Sequence, residues 1–125
     1  MPANWLILRP RWRPPFAVIY SRFVLHAMTL AKEKDFLRHA AALLTPGGCL
    51  YLECRSINDP LAHQGEIISP TERIAGHYRR FIVLDELQAR LQTAGFVIAD
   101  AVESQGLAQL GADDPVVIRV TARRE

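Results

Sequence analysis

Two short apolar runs with a helical stretch between them constrain this chain more than any other feature. Phe16-Ala-Val-Ile-Tyr20 is apolar without a break, the mark of a strand covered on both faces. Cys49-Leu-Tyr-Leu-Glu-Cys54 reads as a second buried strand. After the first run, Ser21 to Met28 reads as a turn into a short helix. From about Ala31 to Leu44 the residues Phe36, Leu37, Ala40, Ala41 and Leu44 repeat at helical spacing, with Lys32, Glu33, Lys34 and Arg38 as the wet face. Pro46-Gly47-Gly48 then stops the helix. A strand–helix–strand unit of this kind closes as a right-handed crossover with parallel strands.

The pattern continues beyond Cys54. Asp59-Pro60 breaks the second strand, and Ser56 to Ile82 shows no clear periodicity, so a long loop is expected there. A second amphipathic helix is predicted from about Leu84 to Ala94, with Leu84, Leu87 and Leu91 on one face. Asp85 and Glu86 sit in its first turn, at the positive end of the helix dipole, and Gly95 follows as the terminator. Phe96 to Glu103 and Pro115 to Ala122 read as strands, joined through Ser104 to Asp114 without a helix, hence antiparallel. The expected fold is α/β: half of a Rossmann-like three-layer sheet, three parallel strands and an antiparallel last one, with helices on the faces. Residues 1–15 are read as an irregular or frayed segment and 16–125 as the folded unit. Trp5 to Leu8 could otherwise lie antiparallel beside Phe16 to Tyr20.

Composition narrows the function classes. With 125 residues, 50% hydrophobic and 22% charged, the chain can bury roughly two-thirds of its unfolded surface as one domain. Its apolar runs are far too short to span a bilayer. The arginines at positions 9, 11 and 13 follow the short apolar run Trp5 to Leu8 rather than preceding it, and no small-residue cleavage site follows, which speaks against a secretory leader. The net charge of +2 gathers at the two ends, which reads as solvated termini. No nucleic-acid module accompanies it, so neither a nucleic acid nor a membrane is expected as partner. Cys49 and Cys54 are separated by an odd number, so one strand points them to opposite faces. They read as reduced structural thiols of a cytoplasmic protein. His39 and His63 have no metal-ligand spacing, and no nucleophile–base pair stands out.

The words of the sequence match a family as well as their order does. Phe16 to His26 resembles the fourth strand, and the turn after it, of class I S-adenosylmethionine-dependent methyltransferases. Leu43-Leu44-Thr45-Pro46-Gly47-Gly48-Cys49-Leu50 resembles the L-x-P-G-G-x-L entry to that family's fifth strand, and Leu91-Gln-Thr-Ala-Gly95-Phe96 its entry to the sixth. The resemblance covers about Phe16 to Arg124 and is to the C-terminal half only. It implies S-adenosylmethionine as cofactor and methyl transfer to a small acceptor. The family's glycine-rich turn and ribose-holding acidic residue have no counterpart here, since no G-x-G occurs. The expectation is therefore a chain that holds little cofactor and is inactive alone unless another chain supplies strands. The competing expectation is a non-catalytic interaction module, pairing with a second copy or a complementing chain through the exposed edge at Phe16–Tyr20.

Ligands of open parallel sheets sit outside the carboxyl ends of the strands, and three segments converge there. Ser21 and Arg22 correspond to residues that in the family lie against the methionine part of the cofactor; alternatively they are a turn serine and a surface arginine. Glu53 could accept the acceptor's proton, with Arg55 beside it binding substrate; a Glu53–Arg55 or strand-end ion pair is the structural alternative. His77, Tyr78, Arg79 and Arg80 offer donors and positive charge suited to a substrate carboxylate or phosphate, or form a solvated basic turn. An anionic or sugar-linked acceptor is suggested by Arg79 and Arg80 alone. His26, in an apolar stretch, reads as a packed, hydrogen-bonded histidine.

Overall fold

The computed structural model describes residues 15–125. The expectations for residues 1–14, including the pairing of Trp5 to Leu8 with the first strand, lie outside the described residues.

The chain runs β1 (Phe16–Arg22), a 3-10 turn (Leu25–Ala27), α1 (Leu30–Leu43) and β2 (Leu44–Arg55). A second 3-10 turn (Pro60–His63) and three short strands follow: β3 (Glu66–Ile67), β4 (Glu72–Ile74) and β5 (Tyr78–Arg80). It ends with α2 (Leu84–Thr93), β6 (Phe96–Ser104) and β7 (Val117–Arg124). The main sheet has the order β1-β2-β7-β6. β1 and β2 are parallel, and β7 slots antiparallel between β2 and β6. β6 therefore points the same way as β1 and β2, as expected.

Both helices lie on one face of this sheet. Each crossover, β1 to β2 and β2 to β6, steps in the same direction across the sheet, and right-handedness then puts both helices on the same side. The described residues thus build two of the three expected layers. Leu50, Leu52 and Cys54 of β2 and Ile118, Val120 and Ala122 of β7 pack with Leu37, Ala40, Leu87 and Leu91 of the helices in one core. On the opposite face, Val18 and Tyr20 are 56% and 65% exposed, and Tyr51, Val97 and Val102 are also open. This corrects the expectation that Phe16–Tyr20 is covered on both faces: only its Ile19–Ser21 side meets the core.

Local chemistry explains the joints. Thr29 caps α1, its hydroxyl accepting from the Lys32 amide. Pro46-Gly47-Gly48 does more than stop the helix. It forms an irregularity in β2 between the Leu44–Phe16 and Cys49–Val18 pairs. Gly47 takes φ +79, and a Cβ on Gly48 would sit 3.1 Å from the Ala17 carbonyl oxygen. Glu33, expected on the wet face of α1, is fully buried. It lies four residues before Leu37 and so shares the core stripe.

The segment 56–82 is not a structureless loop. β3, β4 and β5 form an antiparallel meander. Arg73 fastens it from inside, donating to the carbonyls of Ala62, Ser69, Pro70 and Glu72. Strands of two or three residues are too short to leave a period-two pattern in sequence.

Candidate functional site

The carboxyl ends of β1 and β2 open into a cleft of about 480 Å³. Arg22 and Phe23 come from the end of β1, His26 from the 3-10 turn, and Arg55 from the end of β2. His77, Arg79 and Phe81 arrive from the meander, and residues 108–115 supply Leu110, Asp113 and Pro115 from the β6–β7 loop.

Backbone geometry aims the first wall. The Phe23 amide donates to the Glu53 carbonyl at 2.7 Å, extending the β1–β2 ladder by one residue. The chain then turns sharply, with Phe23 at φ 56, a left-handed conformation that a bulky residue rarely adopts. Such conformations cluster at ligand sites. The turn leaves the Phe23 ring 5.4 Å from the Arg22 guanidinium and 6.2 Å from the His26 ring.

Asp59 fixes the second wall. Its Oδ2 accepts from Arg55 at 2.9 Å and from the Leu61 amide at 3.1 Å, and its Oδ1 accepts from the Val116 amide at 2.8 Å. One buried carboxylate thereby joins the end of β2, the second 3-10 turn and the approach to β7. Arg55 also reaches Asp113 at 3.3 Å. In sequence Asp59-Pro60 reads as a strand breaker; aspartate before a proline is also the signature of a capped helical turn, which is what forms here.

Four of the eight sequence-predicted site residues line the cleft: Arg22, Arg55, His77 and Arg79. The other four do not. The side chain of Ser21 turns to the helix side of β1, where its hydroxyl is buried with no hydrogen-bond partner. Glu53 faces the open side of the sheet, accepting from Arg22 at 2.7 Å and also from Arg119. Burial alone would raise its pKa, but the hydrogen bonds and charges of Arg22 and Arg119 outweigh this and hold it below the usual carboxylate range. Of the two structural alternatives, the Glu53–Arg55 pair does not form and the strand-end ion pair does: Glu53 takes Arg22 and Arg119, while Arg55 takes Asp59 and Asp113.

Tyr78 donates to Glu72 at 2.7 Å, and burial together with that bond pushes its hydroxyl up to about 12. Arg80 corrects the sequence reading most. It is 4% exposed and donates to the Met28 carbonyl at 2.8 Å and to Glu33 at 2.7 Å. Arg90 of α2 binds the other oxygen of Glu33. Alternation along β5 explains the split: Arg79 and Arg80 are neighbours, so one faces the cleft and the other the core.

His26, Asp113, Pro115 and Phe81 line the cleft without having been singled out for it. His26 is not the satisfied histidine expected, since its Nδ1 is buried with no partner. Burial first, then the charges of Arg55, Arg79 and His77, lower its pKa. Cys49 and Cys54 are both free thiols, and burial pushes Cys54 up to about 12. Among the described residues no group of three His, Cys, Asp or Glu could hold a metal, and no helix is long and apolar enough to cross a membrane.

No protein-family model matches the chain, and no curated protein matches it at a significant level. Solved structures do match. A S-adenosylmethionine-dependent methyltransferase from Methanosarcina mazei aligns at TM-score 0.73 and 17% identity, over 90% of this chain and 60% of its own. One from Mesorhizobium loti aligns at TM-score 0.63 and 17% identity, over 90% and 63%. The 1,6-didemethyltoxoflavin-N1-methyltransferase of Burkholderia thailandensis, solved with 1,6-didemethyltoxoflavin and S-adenosylhomocysteine bound, aligns at TM-score 0.64 and 19% identity, over 99% and 57%. The chain thus spans less than two-thirds of the length of each. A parallel β1–β2–β6 set with an antiparallel strand inserted before the last, and a cleft at its carboxyl rim, is accordingly the fold that these S-adenosylmethionine-dependent methyltransferases show over part of their length.

Proposed function

We propose that this chain forms the acceptor-facing rim of a S-adenosylmethionine-dependent methyltransferase, with a small, partly anionic acceptor in the cleft. One observation carries the reading: Arg22, Arg55, His77 and Arg79, from separate segments, line a single cleft at the carboxyl ends of parallel strands. The likeness to solved methyltransferases supports it at the level of fold.

The residues fit one side of the cofactor. Arg22 and Phe23, at and just after the end of β1, form the wall nearest the expected cofactor, with the buried, unpartnered Ser21 hydroxyl behind them on the helix side. No glycine-rich cradle occurs among the described residues. When bound, the cofactor supplies a methyl group on a sulfonium that is already a good leaving group. The chain's own work is then positional: the cleft orients the acceptor, and Phe23, Leu61 and Phe81 exclude water from one side. Glu53 is assigned to holding Arg22 and Arg119, because a carboxylate with both oxygens engaged and its pKa held down is a weak proton acceptor.

Alone, the chain should bind S-adenosylmethionine more weakly than micromolar and transfer no methyl group. Titration calorimetry of the full chain, with a radiolabelled transfer assay, tests this. Micromolar binding would overturn the need for a complementing segment; no binding at millimolar cofactor would remove the methyltransferase reading.

A second reading has its own observation. Val18 and Tyr20 of β1 and Tyr51 of β2 leave an apolar strip open at a sheet edge, which suits pairing with another chain. A compact monomer at high concentration, by light scattering, would count against it.

A further inference from the structure

The cleft is not uniformly charged, and the difference identifies one end of it. Arg22 is committed to Glu53, and Arg55 to Asp59 and Asp113. Arg79 has no carboxylate partner among the described residues. Its Nε donates to Nε2 of His77 at 3.0 Å, which fixes the plane of the guanidinium and leaves its terminal nitrogens unused. The half-buried ring of His26 lines the same cleft. A half-buried guanidinium with no carboxylate partner among the described residues, held by a neighbouring imidazole and set in a concave wall, is the arrangement that recognises an oxyanion.

We infer that Arg79, with His77 and His26, forms a binding site for an oxyanion group of the acceptor, a phosphate or a carboxylate. The assignment rests on reading this cleft as the acceptor pocket. The fork of Arg79 takes two of the oxygens, His77 keeps the fork aligned, and His26 bounds the site.

Occupation has an electrostatic consequence. The charged and titratable groups around His26 are Arg55 with Asp59 and Asp113, Arg79 and His77 of the meander, Arg22 with Glu53, and Arg80 with Glu33 beneath the turn. Burial and the positive members of this set keep the empty ring neutral. An anion beside Arg79 reverses the local field, so binding draws a proton onto His26 and moves its titration midpoint up by about one pH unit.

The test is an NMR titration of the full chain at fixed ionic strength with inorganic phosphate and, separately, acetate. Saturable shifts at Arg79, His77 and His26, with the His26 midpoint rising, are expected. Preference for phosphate identifies a phosphate-bearing acceptor, and preference for acetate a carboxylate. Arg79→Gln should weaken the response at least about tenfold, His77→Ala by less, and Arg38→Gln on the exposed face of α1 not at all. Linear shifts spread over surface arginines, an unmoved His26 midpoint, or a wild-type response from Arg79→Gln would overturn the site. S-adenosylhomocysteine responses at Ser21 and Arg22 are read in the same spectra. If those persist while phosphate and acetate do nothing, the oxyanion assignment alone falls.

Discussion

Two carboxylates among the described residues each bridge two arginines, and they do different things. Glu33 lies beneath the helices, fully buried, with Arg80 only 5% and Arg90 16% exposed at the side chain. Glu53 lies on the open side of the sheet below the cleft, itself 3% exposed, but its partners Arg22 and Arg119 are 57% and 43% exposed. The chemistry is the same; the solvent around the guanidinium groups is not. Where the arginines are dry, the acid is needed to keep them inside. Where they are wet, losing the acid returns them to water at small cost, and the group serves to aim Arg22 along the cleft wall.

The contrast can be broken at its strongest point first. Glu33→Gln leaves two buried guanidinium groups short of a counter-charge and should cost about 3–5 kcal/mol, measured by denaturant unfolding. Glu53→Gln should cost about 1–2 kcal/mol, discounted because its partners are half in water. Equal losses would erase the distinction. The neighbouring arginines sharpen it: Arg80→Gln should destabilise the fold by about 3 kcal/mol or more, whereas Arg79→Gln should change stability by less than about 0.5 kcal/mol.

Acid and thiol chemistry give smaller effects. The folded pKa of Glu53 lies below its unfolded value, so its contribution is full above the ordinary carboxylate range and fades as pH falls through the depressed value. Glu53→Gln should flatten the acid limb of the stability curve. His26 has the same direction of shift from a different cause. The unfolded chain takes its proton first, so stability declines as pH drops from the ordinary histidine range toward the lower folded value. His26→Gln should remove that slope. Smallest of all, an alkylating reagent should modify Cys49 in the native protein and reach Cys54 only on unfolding, because burial pushes that thiol up to about 12.

Much of the sheet was legible because hydrophobic period reports burial. Leu37, Ala40, Leu87 and Leu91 announced the helices, and the Ile118–Val120–Ala122 alternation announced β7. What failed shares a physical cause. Glu33 and Arg80 look like surface residues until each supplies the other's buried counter-ion, a pairing 47 residues apart that no local pattern encodes. The meander's strands are too short for periodicity, so Arg79 and Arg80 could not be told apart. The left-handed turn at Phe23 carries no glycine to mark it. Convergence of Arg22 and Arg55 was legible, since parallel strand order alone brings the ends of β1 and β2 to one rim; which residues of the meander join them was not.

The central claim is that this rim is where a methyl donor and its acceptor meet. Amide-resolved NMR of the full chain with S-adenosylhomocysteine, raised to millimolar concentration, tests it directly. The account predicts shifts confined to the end of β1 and the cleft, strongest at Ser21, Arg22 and Phe23 and present at Arg55. Shifts centred instead on the helix groove between Leu37 and Ala94, or none anywhere, would contradict it.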